Sequence, residues 1–240
     1  MESYDAIVIG SGGVGSATMY HLAKRGLRVL GLDQFPQAHA RGSSHGETRI
    51  IRQAYFEHPD YVPLLKRAYE LWDELEQSAE RKLFHQVGLL EIGPADGVLI
   101  PGVMDSVNQH SLPIERLAAS EAQRRFDLSI PQGMQVVFEP TAGYLLVEDC
   151  VRTHLDWATS YGATWQQDEV VRWDATATRA LVRTQSAEYE ADRLVVTAGA
   201  WATKLLSNLD VALRVIPKFQ YWFSASEQAE RLPAYFYELE

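Results

Sequence analysis

Three glycines near the N-terminus have the spacing of a phosphate-binding turn. Gly10, Gly12 and Gly15 fit the pattern G-x-G-x-x-G directly after an apolar run that ends at Ile9. In such a turn the first glycine permits the tight bend, the second lets the backbone approach a pyrophosphate, and the third lets a helix pack closely on the strand. The first amides of that helix then point at the phosphates. The pattern therefore predicts a site for a dinucleotide.

The elements that must position this turn are present on both sides of it. The sequence predicts a strand from Tyr4 to Ile9, a helix over residues 16–25 that ends at Gly26, and a second strand over residues 27–32. Asp33 ends that strand, where a carboxylate can accept hydrogen bonds from a ribose 2′-OH and would repel the 2′-phosphate of NADP. This unit alone leaves FAD and NAD open, and a glycine-rich turn of another α/β protein is the alternative.

A basic segment follows the predicted βαβ unit. Arg41, Arg49 and Arg52 lie within twelve residues of an otherwise acidic chain, and small polar residues stand between them. Guanidinium groups bind carboxylates through a two-pronged fork of N–H donors. The segment is therefore a candidate carboxylate site, and the alternative is a set of ordinary surface ion pairs.

Composition excludes several classes of protein. The chain has 240 residues, of which 46% are hydrophobic and 22% charged, and its formal net charge is −10. This balance argues against a broad nucleic-acid interface, which needs clustered Lys and Arg. The single cysteine, Cys150, excludes an intrachain disulfide and a multi-cysteine zinc site, and no metal site is predicted. No apolar run approaches the length of a membrane span, so we expect a cytoplasmic protein that does not enter membranes.

Further helices and strands are expected along the rest of the chain. The apolar spacing and the turn residues predict an α/β protein. The predicted helices cover residues 60–75, 120–126 and 147–160. The predicted strands cover residues 84–92, 134–138, 170–173, 180–184, 194–197 and 211–223.

The stretch from Gly42 to Arg52 has the sequence GSSHGETRIIR, which indicates a particular protein family. It resembles the signature of the monomeric sarcosine oxidase and N-methyltryptophan oxidase family, which are FAD-dependent amine oxidases of the D-amino-acid-oxidase superfamily. The resemblance extends along the chain through residues 61–64, 71–72, 88–94, 138–143 and 197–201. Two positions depart from some members, Glu47 in place of Asp and Ser44 in place of His.

The resemblance implies a fold and a division of the chain. It implies a Rossmann-like FAD-binding domain formed by residues 1–82 and 140–210. A smaller, mainly antiparallel β-sheet substrate domain would include residues 83–139 and 211–240 and would be incomplete at its C-terminus. Family members are longer, so the chain is expected to be an N-terminal portion of an enzyme that is monomeric at full length. The cysteine that links the flavin in the family lies in the further part, so Cys150 is expected to be a buried small side chain.

The resemblance also implies which residues bind FAD. The glycine turn would hold the pyrophosphate, Asp33 the adenosine ribose, and the remaining positions the flavin or the adenine end. The implied FAD-binding residues are Gly10, Gly12, Val14, Gly15, Asp33, Ser43, Ser44, Thr48, Arg49, Ile50, Val171, Ala198, Gly199 and Trp201.

Four residues are implied to act on the substrate. Arg52 matches the arginine that pairs with the substrate carboxylate, and Arg49 matches an arginine beside the flavin ring, where a cation favours reduction. His45 and Tyr55 match a histidine and an aromatic residue near the flavin. For both, a structural role in a packed loop is the alternative.

The implied reaction is oxidation of a secondary amine or N-methyl amino acid at the carbon attached to nitrogen. The imine product hydrolyses, and oxygen takes the electrons from the flavin to give hydrogen peroxide. Two alternatives stay open at this point. One is a related activity, such as pipecolate or glycine oxidation or a dehydrogenase that passes electrons to a carrier protein. The other is a non-catalytic dinucleotide-binding module that needs a partner chain.

Overall fold

The fold is described from a computed structural model, which covers residues 2–207, 209, 212–224 and 232–239. The strands in these residues are β1 (Glu2–Ile9), β2 (Val29–Asp33), β3 (Thr48–Ile51), β4 (Phe84–His85), β5 (Leu89–Pro94), β6 (Glu115–Leu117), β7 (Met134–Glu139), β8 (Gly143–Leu146), β9 (Thr164–Gln167), β10 (Val170–Ala175), β11 (Ala180–Thr184), β12 (Glu188–Val196) and β13 (Ala234–Tyr237). The helices are α1 (Gly13–Lys24), α2 (Val62–Ala79), α3 (Leu99–His110), α4 (Ala119–Phe126), α5 (Val147–Ser160) and α6 (Ala202–Leu205).

The chain divides into two compact units. The first unit is Met1–Glu47 with Leu146–Gln220, and the second is Thr48–Leu145 with Tyr221–Glu240. These boundaries differ from those expected from the sequence, because residues 140–145 and 48–82 group with the second unit and the first unit extends to Gln220. For residues 48–82 the packing explains the difference, since Ala54 and Val62 join the hydrophobic cluster formed by α3 and β7. The assignment of domains to FAD and to substrate stays a prediction.

The first unit contains the predicted Rossmann-like sheet. Its six strands have the order β10-β11-β12-β1-β2-β9. The four strands from β12 to β9 pair in parallel, and β10 and β11 add an antiparallel edge. The second half of β1 and all of β2, in the middle of the parallel strands, are buried and mostly apolar, and Ile7, Leu30 and Leu32 have no exposed surface. The α/β interpretation is confirmed, with the glycine turn at the carboxyl end of β1.

Helix α5 packs against α1 in the first unit and brings histidines and tyrosines together. The ring of the buried His154 lies 5.5 Å from the ring of Tyr20 and 6.5 Å from that of His21. Cys150 on the same helix is also buried, as expected for a small apolar side chain. Burial, together with a smaller contribution from the charge of His21, lowers the pKa of His154 from 6.5 to about 4.

His154 should make stability depend on pH. The unfolded chain binds the His154 proton more tightly, so the free energy of unfolding decreases as pH falls from about 6.5 to about 4. The loss is on the order of 3 kcal/mol when the pH has passed the folded-state pKa. His154→Gln should flatten this part of the curve of melting temperature against pH. Equal slopes for both proteins between pH 4 and 6.5 would contradict the assignment.

The second unit contains two smaller sheets, in the orders β13-β5-β7-β6 and β3-β8-β4. Strands β5, β6 and β7 pair antiparallel, as do β4 and β8, while β13 runs parallel to β5. The expectation of a mainly antiparallel β region beside the Rossmann-like sheet is therefore confirmed. Helix α3 covers the larger sheet through Leu99, Ile100 and Val103.

Two predicted strands are wrong. The run 84–92 breaks into β4 and β5 at Gly88, whose φ of +79° suits glycine and where a Cβ would collide with the Phe138 ring. The run 211–223 is not a strand over residues 212–223, and residue 211 lies outside the described residues. No described residue pairs its backbone with this run, and an apolar sequence without a neighbouring strand does not form a sheet.

Helix α3 was missed because Pro101 and Gly102 resemble a turn. Pro101 lies in the first turn of the helix, where its missing N–H needs no partner.

Among the helices of the described residues, none combines the length and the apolar character needed to cross a bilayer.

Candidate functional site

A cleft opens in the first unit where strands β1, β2 and β12 end. Its cavity volume is about 230 Å³. Ligands of open parallel sheets bind at this edge, outside the carboxyl ends of the strands. The predicted FAD-binding residues that line the cleft are Gly10, Gly12, Val14, Asp33, Ser43, Ser44, Ala198, Gly199 and Trp201.

The first and third glycines of the turn are required by the fold. Gly10 has a φ of +92°, and a Cβ there would lie 2.7 Å from the Thr197 carbonyl oxygen. A Cβ on Gly15 would run into the Gly10 carbonyl and would come within 2.7 Å of Thr197 Oγ1. That hydroxyl in turn donates to the Gly10 carbonyl at 2.7 Å. Gly15 therefore lets α1 pack on the turn, and Thr197, which the sequence analysis did not assign, locks the turn to the end of β12.

The second glycine is different because it faces the open cleft. A Cβ on Gly12 would meet only Ser44, with the nearest atom, Oγ, at 3.2 Å. Gly12 is the N-cap of α1, and the first turn of that helix contains no acidic residue. The amides there keep their positive end toward the cleft, and one of them, Gly13 N, donates to Ser44 Oγ at 2.8 Å. This arrangement is a cradle for an anionic group.

Asp33 lines the cleft and is hydrogen-bonded to Ser11 of the glycine turn. Its Oδ2 accepts hydrogen bonds from the Ser11 amide at 2.7 Å and from Ser11 Oγ at 3.0 Å. Its Oδ1 accepts from the Phe35 amide at 3.0 Å. A carboxylate has about four acceptor positions, so Oδ1 keeps capacity for a further donor. The ribose role of Asp33 is compatible with this geometry and stays a prediction.

The loop that carries Ser43, Ser44 and His45 is held by a residue that the sequence analysis missed. Glu148, in the first turn of α5, accepts from the Gly46 amide at 2.7 Å and from the Glu47 amide at 3.1 Å. Glu47 has a φ of +70°, which costs energy outside glycine. Partial burial raises the pKa of Glu148, but the amide donors outweigh it, and the pKa lies below its usual range.

Removing this anchor should weaken FAD binding without unfolding the protein. Glu148→Ala leaves two amides and a strained residue without support, and charge-assisted hydrogen bonds contribute about 1.5–3 kcal/mol each. We expect about tenfold weaker FAD binding in Glu148→Ala and a smaller loss in Glu148→Gln, which keeps one acceptor oxygen. Fluorescence titration of the apoprotein with FAD measures both. Unchanged affinity in Glu148→Ala would show that the loop needs no anchor.

Several predicted contacts fall outside the cleft lining. Val170 lines the cleft, whereas the neighbouring Val171 does not and is 54% exposed. Strand β3 in the second unit carries three further predicted residues, Thr48, Arg49 and Ile50, and Arg49 Nη1 donates to the Thr48 carbonyl at 2.7 Å. Their contacts with FAD, like that of His45, stay predictions.

The second unit buries Arg52, the predicted carboxylate-binding residue. Its guanidinium carbon lies 4.2 Å from the centre of the Tyr55 ring and 4.8 Å from that of Phe56. Nη2 donates to both carboxylate oxygens of Glu57 at 2.9 Å. Nη1 is buried and has no hydrogen-bond partner among the described residues. The structure thus brings Arg52 and Tyr55 together and presents a guanidinium already paired with a carboxylate.

Two buried acids near Arg52 were also missed by the sequence analysis. Glu139 accepts from the Gln53 amide at 2.8 Å and from the Ala54 amide at 3.0 Å, which fixes the backbone directly after Arg52. Glu91 Oε1 lies 3.9 Å from Arg52 Nε, too far for a hydrogen bond. Each of these acids lies on a strand of the larger sheet. The sequence analysis missed them because they are far from Arg52 along the chain.

Comparison with known proteins decides the family. The family profile described as FAD dependent oxidoreductase matches residues 5–236, nearly the whole chain. The chain belongs to the FAD dependent oxidoreductase family. The cleft fits FAD, the group that gives the family its name. The glycine cradle supplies amide donors for a pyrophosphate, and Asp33 supplies an acceptor for a ribose.

Members of this family with curated functions are similar over most of the chain. A monomeric sarcosine oxidase of Streptomyces avermitilis is 42% identical over 98% of the chain and 63% of its own length. An N-methyl-L-tryptophan oxidase of Yersinia pestis is 37% identical over 98% of the chain and 64% of its own length. The chain thus spans somewhat under two thirds of these relatives.

Two solved structures have a similar fold. NikD, described as an unusual amino acid oxidase essential for nikkomycin biosynthesis, is 31% identical with a TM-score of 0.76, covering 87% of this chain and 55% of its own. Glycine oxidase from Geobacillus kaustophilus has a TM-score of 0.74 at 20% identity, covering 89% of this chain and 60% of its own. The latter likeness concerns the fold alone.

Proposed function

We propose that this chain forms the FAD-binding and carboxylate-binding part of an oxidase that acts on secondary amines, with an N-methyl amino acid of the sarcosine type as substrate. The observation that carries this proposal is the Arg52 site. A buried guanidinium, packed against aromatic rings and with one nitrogen that has no hydrogen-bond partner in the described part of the chain, suits the carboxylate of an amino acid. The named activities of the similar oxidases support the same substrate class.

The residues of the chain have separate tasks in this proposal. Arg52 binds the substrate carboxylate in the position that Glu57, which is 43% exposed at its side chain, occupies in the structure. Tyr55 and Phe56 hold the guanidinium plane and exclude water from its faces. Glu139 keeps the backbone after Arg52 in place. FAD, when bound, supplies the two-electron acceptor for oxidation of the C–N bond.

FAD itself would be held by the first unit. The amides at the start of α1 and the bare face of Gly12 would receive the pyrophosphate, and Asp33 would accept from the ribose. Ser44, which now accepts from the Gly13 amide, would turn toward the cofactor together with Ser43. The enzyme is inferred to act as a monomer with oxygen as the electron acceptor.

The substrate class is tested by peroxide formation with matched amines. The whole protein with FAD should release hydrogen peroxide with sarcosine or N-methyl-L-tryptophan. It should release far less with glycine, which has the carboxylate but no N-methyl group, and with N-methylethylamine, which has the secondary amine but no carboxylate. Equal rates with glycine would favour a primary-amine oxidase. No peroxide with any of them, from a protein that retains FAD, would favour a dehydrogenase.

A further inference from the structure

Glu91 is a buried acid whose side-chain oxygens have no hydrogen-bond partner among the described residues. It lies in the middle of β5, with Val137 of β7 and Phe236 of β13 opposite it in the neighbouring strands. No part of the residue is exposed. An ionised carboxylate in such a place loses its hydration without gaining donors, so the neutral acid is the less costly form.

The charged groups that act on the Glu91 carboxyl come from two segments. Arg52 and Glu57 belong to the segment that follows β3, and Glu139 belongs to β7. The phenol of Tyr69 on α2 is buried beside the same Arg52 and Glu139. From α3, the apolar Ile100 lies against Gly93 of β5. Glu238, directly after β13, lies against the same glycine and accepts hydrogen bonds from the amides of Val98 and Leu99.

These neighbours decide which acid carries a proton. Glu139 accepts hydrogen bonds from three donors, the two amides after Arg52 and Thr141 Oγ1 at 3.1 Å, whereas the Glu91 oxygens have no donor among the described residues. Burial raises the pKa of Glu91 to about 8; the attraction of Arg52 opposes this rise, and the repulsion of Glu139 and Glu57 adds to it. Glu91 is thus the acid of this cluster that exchanges its proton near neutral pH.

We propose that Glu91 is a positioning residue whose own proton controls how firmly Arg52 holds the carboxylate of a substrate. With Glu91 neutral, Arg52 pairs with a single carboxylate, which is that of Glu57 or that of a substrate in its place. With Glu91 ionised, the guanidinium is drawn toward Oε1 on its Nε side, and an incoming carboxylate meets a second negative charge in a site that water screens poorly. Carboxylate binding therefore selects the protonated form.

This role of Glu91 rests on the proposed role of Arg52, so the experiment must distinguish a failure of one role from a failure of the other. Propionate is a suitable probe, because it carries the carboxylate but no amine that would titrate in the same range. Calorimetric titration of the whole protein with FAD bound, in pairs of buffers with different ionisation heats, gives both the Kd and the number of protons taken up. The Kd should rise about tenfold from pH 7 to pH 9. Uptake should approach about one proton per propionate at pH 9.

Variants identify the group that takes up the proton. Glu91→Gln should bind propionate with a Kd that is nearly constant over this range and with no proton uptake. Glu115→Gln, in which an exposed acid paired with Arg125 is changed, should behave like the wild type. Absence of proton uptake in the wild type, a result that needs no variant, would overturn the inference, and so would uptake that persists in Glu91→Gln.

The same titration of Arg52→Ala shows which proposal fails. If propionate binds, the Kd depends on Arg52, and no proton is taken up, the role of Glu91 is refuted while that of Arg52 stands. If the Kd of Arg52→Ala equals that of the wild type, the carboxylate site itself is refuted, and the inference about Glu91 falls with it.

Discussion

Gly12→Val is expected to abolish retention of FAD while leaving the apoprotein folded. The valine side chain would project into the cleft, because within 4 Å of its Cβ the described residues place only atoms of the flexible Ser44 side chain. It would occupy the space through which a pyrophosphate reaches the amides of α1. Loss of two such charge-assisted hydrogen bonds costs at least about 3 kcal/mol. This corresponds to a Kd for FAD that is about 100-fold higher or more.

Gly15→Val is the matched control, because it changes a glycine of the same turn with a different structural role. A Cβ at position 15 collides with the Gly10 carbonyl, so this variant should lose thermal stability as well as FAD. The two variants should therefore separate in the melting temperature of the apoprotein, with Gly12→Val close to wild type and Gly15→Val well below it. A Gly12→Val protein that is purified with a full complement of flavin would refute the assignment of the cradle.

Arg52→Ala is expected to lower kcat/KM for sarcosine by about 100-fold or more, mainly through KM, in a protein that remains yellow. Removing one partner of a buried, hydrogen-bonded charge pair costs about 2–5 kcal/mol. FAD should be retained because the cleft in the first unit contains no part of Arg52. Steady-state peroxide assays, together with the visible spectrum of the purified variant, measure both quantities.

Two further variants show whether the effect belongs to the guanidinium. Arg52→Lys keeps the charge and loses the fork, so it should recover about tenfold of the lost kcat/KM. Arg67→Ala removes an exposed arginine of α2, whose partners Glu70 and Glu74 are also exposed, and should leave KM unchanged. A normal KM in Arg52→Ala would remove this residue from the substrate site.

The glycine turn and Asp33, which line the cleft of the first unit, could be predicted from the sequence because they are local. The glycine spacing, the apolar strand before it and the acid at the end of β2 all lie within the first 33 residues, and each has one main structural consequence. Helix α5 was predicted with its bounds correct, since an unbroken amphipathic pattern ends at Gly162. Local rules and the final fold agree in these segments.

The partners of the site residues could not be predicted in the same way, because they are distant in sequence. Glu148 is 102 residues from the Gly46 amide that it binds, and Glu139 is 86 residues from the Gln53 amide. An acid in a strand or at the start of a helix looks like any other acid until tertiary packing places it. The arginine cluster was found by its spacing, whereas the acids that surround Arg52 were not.

Glycines were misread where packing, and not a turn, required them. Gly102 lies inside α3, where a Cβ would collide with the Phe56 carbonyl. The glycine therefore lets the segment that contains Phe56 pack closely against the helix. Gly88 had the opposite effect, because its positive φ ended one strand and began another in a run that looked continuous. Residue type alone does not distinguish these two uses.

The most direct test of the account is a titration of the whole apoprotein with FAD, followed by visible absorbance and repeated with ADP as competitor. We expect one FAD per chain, competition by ADP for the glycine cradle, and loss of binding in Gly12→Val. Failure of the wild type to take up FAD, or uptake that neither ADP nor Gly12→Val disturbs, would contradict it.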